Sequence, residues 1–143
     1  MSFRLSLIVA SMFAAVSGSC QCVPATDTQV TIWGNNPVVR KEPKPLKLLK
    51  GTVITVQGTP LAGTLVEVFP LREAALPGPN STQRRLLGCV TTKDGDFSFD
   101  LPDGRYELRC SKDGGWRATS VLVEIRKKES SQKSLRVSLD LSI

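Results

Sequence analysis

From residue 50 onward, apolar and polar residues alternate in short runs. Lys50 to Val56 is β-branched and alternating, and Thr64 to Phe69 sets Leu65 and Glu67 on one side and Val66 and Val68 on the other. A period of two is that of a pleated strand with one face buried, and Val53, Val66 and Val68 are assigned to the core. The stretch Leu87–Cys110 reads as three strands joined by turns at Lys93–Asp96 and Leu101–Gly104. Asp-Gly between β-prone runs is a strong hairpin signal, because glycine reaches positive φ without a steric penalty. Phe97 and Phe99 share one face, as do Tyr106, Leu108 and Cys110, while Arg105, Glu107 and Arg109 point the opposite way, toward solvent. Val121, Val123 and Ile125 alternate next, then Leu135, Val137, Leu139 and Leu141. Seven short strands at regular spacing with no helical pattern predict an all-β sandwich.

The first residues read differently. Arg4 precedes an apolar run, Leu5 to Val16, and small residues follow at Ser17-Gly18-Ser19. This is the three-part pattern of a signal peptide over residues 1–19, too short in its apolar core to span a bilayer. It predicts a secreted or periplasmic envelope protein, and a bacterial one. Cys20 follows directly and resembles the cysteine of a lipoprotein cleavage site, so Cys20 is the candidate lipidation site; ordinary cleavage near Gly18 or Ser19 is the alternative. Residues 20–46 are polar and broken by Pro24, Pro37, Pro43 and Pro45, which predicts an extended linker. Within it, Gln29–Trp33 can add one edge strand. Trp33 can cover the end of a sandwich or meet a ligand. The domain proper is expected over 47–143.

Export allows disulfides, and there are four cysteines: Cys20, Cys22, Cys89 and Cys110. Cys20 and Cys22 are too close in sequence to brace a core together and can pair elsewhere. Cys89 and Cys110 both fall in predicted strands and are the candidate disulfide pair. If a third strand separates theirs, about 9–10 Å lies between them, beyond disulfide reach, and both are then buried thiols.

Composition narrows the chemistry. The 143 residues suffice for one domain. Histidine is absent, which removes Ser-His, Cys-His and His–metal sites. Asp94, Asp96, Asp103 and Asp113 lie in or beside Asp-Gly turns, where the carboxylate bonds its own backbone. No catalytic residue, metal site or cofactor is expected. Lys and Arg number 19 against 13 Asp and Glu, a net charge of +6. That favours anionic partners in general. The basic residues look scattered and aromatics are only 6% of the chain, so nucleic acid is not expected. The long irregular piece Pro70–Arg85 and the turn Asp113–Arg117 are the candidate binding loops. Trp116, next to Gly114-Gly115, is the candidate binding aromatic, or else a ring that closes the sandwich end. Asn80-Ser81-Thr82 fits a glycosylation sequon, relevant only to a eukaryotic secretory host.

The order of motifs resembles a known family. It runs Gly51-Thr52-Val53, then Gly58–Gly63 with Val66-Glu67-Val68, then Thr91–Phe97, then Leu101–Leu108. This is similar to the carboxypeptidase regulatory-like domain, over about Leu48 to Ile143. Where the family pattern has Pro-Pro-Gly before the tyrosine, this chain has Leu101-Pro102-Asp103-Gly104. The resemblance implies a seven-stranded antiparallel Greek-key β-sandwich of transthyretin-like form. Related enzymes on such sandwiches use histidines with a C-terminal Tyr-Arg-Gly-Ser, or hold iron with two Tyr and two His. This chain has one Tyr and no His, and ends Leu139-Asp140-Leu141-Ser142-Ile143. The expectation is a non-catalytic module that meets a protein or glycan at the cell surface, or an accessory lipoprotein domain of a larger envelope assembly. It touches a membrane only through a lipid anchor at Cys20.

Overall fold

The computed structural model describes residues 22–34, 36–71, 84–129 and 134–141. Cys20, the signal-like stretch, the Asn80 sequon and most of Pro70–Arg85 lie outside them. The described residues are all-β: β1 (Val23–Pro24), β2 (Val38–Lys41), β3 (Leu49–Thr55), β4 (Leu65–Pro70), β5 (Leu87–Val90), β6 (Asp96–Phe99), β7 (Gly104–Ser111), β8 (Thr119–Ile125) and β9 (Leu135–Leu139). A six-stranded sheet runs β1-β5-β4-β7-β8-β2, and a three-stranded sheet runs β6-β3-β9.

The seven strands read from alternation are β3 to β9. Two more come from the segment expected as a linker. β1 pairs with β5, and β2 pairs with β8. Described residues of 22–46 are extended only in part, with a turn at Thr26–Gln29, and they lie against the sandwich rather than beside it. Gln29–Trp33, the expected edge strand, forms no ladder. Pairing is also not purely antiparallel, because β2 runs parallel to β8 and β3 parallel to β9. Both parallel pairs join strands far apart in sequence, as a parallel ladder requires, since a tight turn cannot connect parallel neighbours.

The core sits between the sheets. Val66, Val68, Leu108, Val121 and Val123 from the large sheet meet Leu49, Val53, Phe97, Leu135, Val137 and Leu139 from the small one. Fully burying each such side chain stabilises the fold by about 1.5–3 kcal/mol. Two glycines allow the sheets to close. Gly95 has φ 74°. A Cβ there would lie 2.5 Å from the Val53 carbonyl oxygen, whose own N–H donates to the Gly95 carbonyl at 2.8 Å. A Cβ at Gly51 would collide with the Leu135 carbonyl oxygen. Tyr106 closes the second turn, its hydroxyl donating to the Pro102 carbonyl at 2.7 Å.

The cysteines correct an expectation. Cys89 and Cys110 do not bond to each other. Both are register partners of Val66, one from each side, so β4 stands between them. Cys89 instead forms a disulfide with Cys22, Cα to Cα 5.6 Å, and ties the first described residue to β5. Cys110 is free and buried. Burial pushes its thiol up to about 12, so it stays protonated and unreactive at neutral pH.

Candidate functional site

Alternation puts Glu67 and Phe69 of β4 and Glu107 and Arg109 of β7 on the outer face of the large sheet, with Ser120 of β8 beside them. That face was expected to meet water. All five residues are buried instead, Glu67 and Glu107 at 2% exposure and Arg109 at 5%. The irregular chain 25–33 lies over part of this face, with Thr31 on Glu67 and Trp33 on Arg109. A buried charge must be paired and hydrogen-bonded, and these are.

Arg109 Nη2 donates to Glu107 Oε1 at 2.9 Å, and the Ser120 hydroxyl donates to Glu107 Oε2 at 2.7 Å. The Arg109 guanidinium lies 3.7 Å from the Phe69 ring centroid and 5.1 Å from that of Trp33. Two aromatic faces thus bracket one cation, a contact that strengthens as water is excluded. Among the described residues, Arg109 Nε has no hydrogen-bond partner.

Glu67 holds the covering segment. It accepts the Thr31 N–H at 2.7 Å and the Thr31 hydroxyl at 2.5 Å through Oε1, and Arg85 Nη1 at 3.1 Å through Oε2. Arg85 also donates to the carbonyls of Gln29, Ala25 and Thr26. Between this strap, Phe69, Arg84–Gly88 and Arg109 lies a cleft of about 830 Å³. Its buried carboxylate, Glu67, has an arginine and a hydroxyl, as Glu107 has beside it, while Asp27 and Arg84 also line the cleft. The arrangement holds a segment of chain, and among the described residues it sets no nucleophile beside a free base. Among the described residues, no three His, Cys, Asp or Glu side chains converge as metal ligands.

Trp116, the candidate binding aromatic, is partly buried and packs against the core. Its backbone bridges to Leu141. Trp33, from the opposite end of the chain, lines the same groove. This groove, about 250 Å³, is formed by Ile32, Trp33 and Gly34 with Lys112–Arg117. Sequence alone treats the two tryptophans as separate questions, and the fold brings them to one place. Ile32 stands 66% exposed at its rim. The turn residues Asp94, Asp96, Asp103 and Asp113 do not converge on this groove. Asp96 accepts the Thr52 hydroxyl at 2.8 Å, Asp103 accepts the Lys127 N–H at 2.8 Å, and only Asp113 lines the groove. The structural tasks of Glu67, Glu107, Arg85 and Arg109 leave no motif in the sequence. The one available signal was the placement of two acids and an arginine on strands otherwise rich in valine and leucine.

The chain belongs to the carboxypeptidase regulatory-like domain family, whose model matches residues 49–139. No curated protein matches it in sequence. Among solved structures, its backbone is similar to catechol 1,2-dioxygenase from Pseudomonas arvilla C-1, at 12% identity and a TM-score of 0.43, over 97% of this chain and 68% of that one. It is similar to 3-chlorocatechol 1,2-dioxygenase from Rhodococcus opacus 1CP, at 12% identity and 0.43, over 92% of this chain and 77% of that one. It is similar also to chlorocatechol 1,2-dioxygenase from Pseudomonas putida, at 13% identity and 0.40, over 92% and 76%.

Proposed function

We propose that the chain is an exported, non-catalytic β-sandwich module that holds a protein or carbohydrate partner at the cell envelope. Membership of the carboxypeptidase regulatory-like family supports a module rather than an enzyme. The observation that carries the binding reading is the groove shared by Trp33 and Trp116. Aromatic faces flanked by Lys112 and Arg117 offer stacking surface and donors together, the combination that sugar rings and peptide segments use. The signal-like start and the Cys22–Cys89 bond support an oxidising compartment. Glycan-array binding and capture from envelope extract test the reading. A partner retained without turnover, lost in Trp116→Ala while the fold persists, is the expected result. Failure to bind in both formats, or turnover of an ester or peptide panel, would overturn it.

A second reading, an anchored accessory lipoprotein, is favoured by one detail. Cys20 stands two residues before Cys22, which is fixed to the sheet. A lipid there would hold the domain directly at the bilayer, with no spacer. Palmitate labelling that disappears in Cys20→Ser supports it, and absence of labelling removes it.

A further inference from the structure

Three Asp-Gly steps stand in the chain, at Asp94–Gly95, Asp103–Gly104 and Asp113–Gly114. Glycine offers the least hindered amide nitrogen, because it carries no Cβ. The side-chain carboxyl of an aspartate before glycine is therefore open to attack by the next backbone nitrogen, provided that neither group is held elsewhere. The fold holds two of the three steps and leaves the third open.

At Gly95 the attacking nitrogen is fixed. Its N–H donates to the Thr92 carbonyl at 2.9 Å, and the Gly95 carbonyl accepts the Val53 N–H at 2.8 Å. Gly95 is also buried, with the Val53 carbonyl oxygen packed against it. At Asp103 the carboxylate is fixed instead. It accepts the Lys127 N–H at 2.8 Å, while Gly104 opens β7 in register with Ile125. Asp113–Gly114 has neither restraint. Asp113, Gly114 and Gly115 are all exposed. Among the described residues, none bonds the Asp113 carboxylate or the Gly114 N–H.

We propose that Asp113–Gly114 is a self-modification site, where the folded protein converts aspartate to isoaspartate without an enzyme. The Gly114 nitrogen bonds to Asp113 Cγ, and its proton leaves with the carboxyl hydroxyl as water, which closes a five-membered imide. Water then opens the ring. Cleavage between the nitrogen and Cγ restores aspartate. Cleavage between the nitrogen and the Asp113 main-chain carbonyl carbon routes the backbone through Cγ instead. The product keeps the same atoms and the same charge, with one more carbon in the main chain and the carboxylate on Cα. That carbon enters the turn that carries Trp116, whose Cδ1 lies 3.9 Å from where a Cβ would stand on Gly114. One wall of the tryptophan groove therefore changes as the protein ages. This goes beyond the binding reading and does not depend on it.

Storage of the purified full chain at neutral pH, sampled over weeks, tests the proposal. Isoaspartate is counted by enzymatic methyl transfer from labelled S-adenosylmethionine and located by electron-transfer fragmentation of peptides. In the folded chain it should form at Asp113 at least about tenfold faster than at Asp94 or Asp103. In the chain unfolded in guanidinium with reductant, the three rates should lie within about threefold of one another, because only the fold distinguishes the sites. Asp113→Glu, at an exposed position, should melt as wild type does and lose the folded-state signal, since its ring would need a sixth member. Equal rates at the three sites of the folded chain, faster conversion at Asp94 or Asp103, or no isoaspartate at Asp113 would overturn the proposal. So would methylation of folded Asp113→Glu at the wild-type level. A preference for Asp113 that is equally large in the unfolded chain would assign it to local sequence and overturn the role given to the fold.

Discussion

On the inner face of the six-stranded sheet, Val66, Val68, Leu108, Val121 and Val123 are closed over by a second sheet. On its outer face, Glu67, Phe69, Glu107, Arg109 and Ser120 are also buried, and a strap of irregular chain meets Glu67 and Arg109. Both faces exclude water, by different means. The inner face gains from every apolar area it removes from solvent, and its packing tolerates many apolar replacements of similar volume. The outer face gains little in sum, because each charge taken from water must be repaid by its partners. What it supplies is selectivity for one covering segment. Only a chain that presents a donor pair at Thr31, carbonyls at Ala25, Thr26 and Gln29, and a ring at Trp33 satisfies Glu67, Arg85 and Arg109 together.

The sharpest way to break this contrast is Arg109→Ala. It leaves Glu107 buried without its cation and should cost about 3–5 kcal/mol, comparable to Leu108→Ala on the inner face at about 2–5 kcal/mol. Chemical denaturation of the two variants measures both. A loss under about 1 kcal/mol for Arg109→Ala would mean the outer face is wet in solution. Next in size is Cys22→Ser. It frees the end of the strap and should cost about 2–4 kcal/mol, because the bond closes a loop of 67 residues in the unfolded chain. Dithiothreitol should lower the wild-type melting temperature to that of the variant, and identical melts with and without reductant would contradict it. Trp33→Ala removes one of the two rings around Arg109 and should cost about 1–2 kcal/mol, read in the same denaturation series. Smallest is Arg136→Ala, on the exposed outer face of the small sheet, expected within about 0.5 kcal/mol of wild type. A larger effect there would show that this face, too, is covered.

The inner face was legible in the sequence, and the outer face was not. Alternation in Val66-Glu67-Val68 and in Tyr106–Cys110 states which side each residue takes, and the Asp-Gly turns state where strands end. Neither states what lies on the far side. Glu107 and Arg109 read as solvent-facing because alternation turns them away from the core; the Trp33 ring that meets Arg109 lies more than 70 positions earlier. The same distance hid the Cys22–Cys89 pair, although separation by a third strand was the recognised obstacle to Cys89–Cys110. β2 was hidden by its neighbours, since Pro37 and Pro43 flank it and mark a linker in any local reading. Trp33 and Trp116 each read as packing or binding residues. That they share a groove depends on where the strap crosses the sheet, which no local pattern encodes.

The strap also sets an order of events. Residues 22–46 leave the ribosome before most of the domain, yet long-range partners of theirs come later, among them Glu67, Arg85, Cys89, Ala118, Leu122 and Glu124. β2 has nothing to pair with until β8, about 80 residues on, has emerged. Part of the first stretch to appear, β2 and Leu46, is therefore among the last to dock. Its closure waits on slow, non-local pairing.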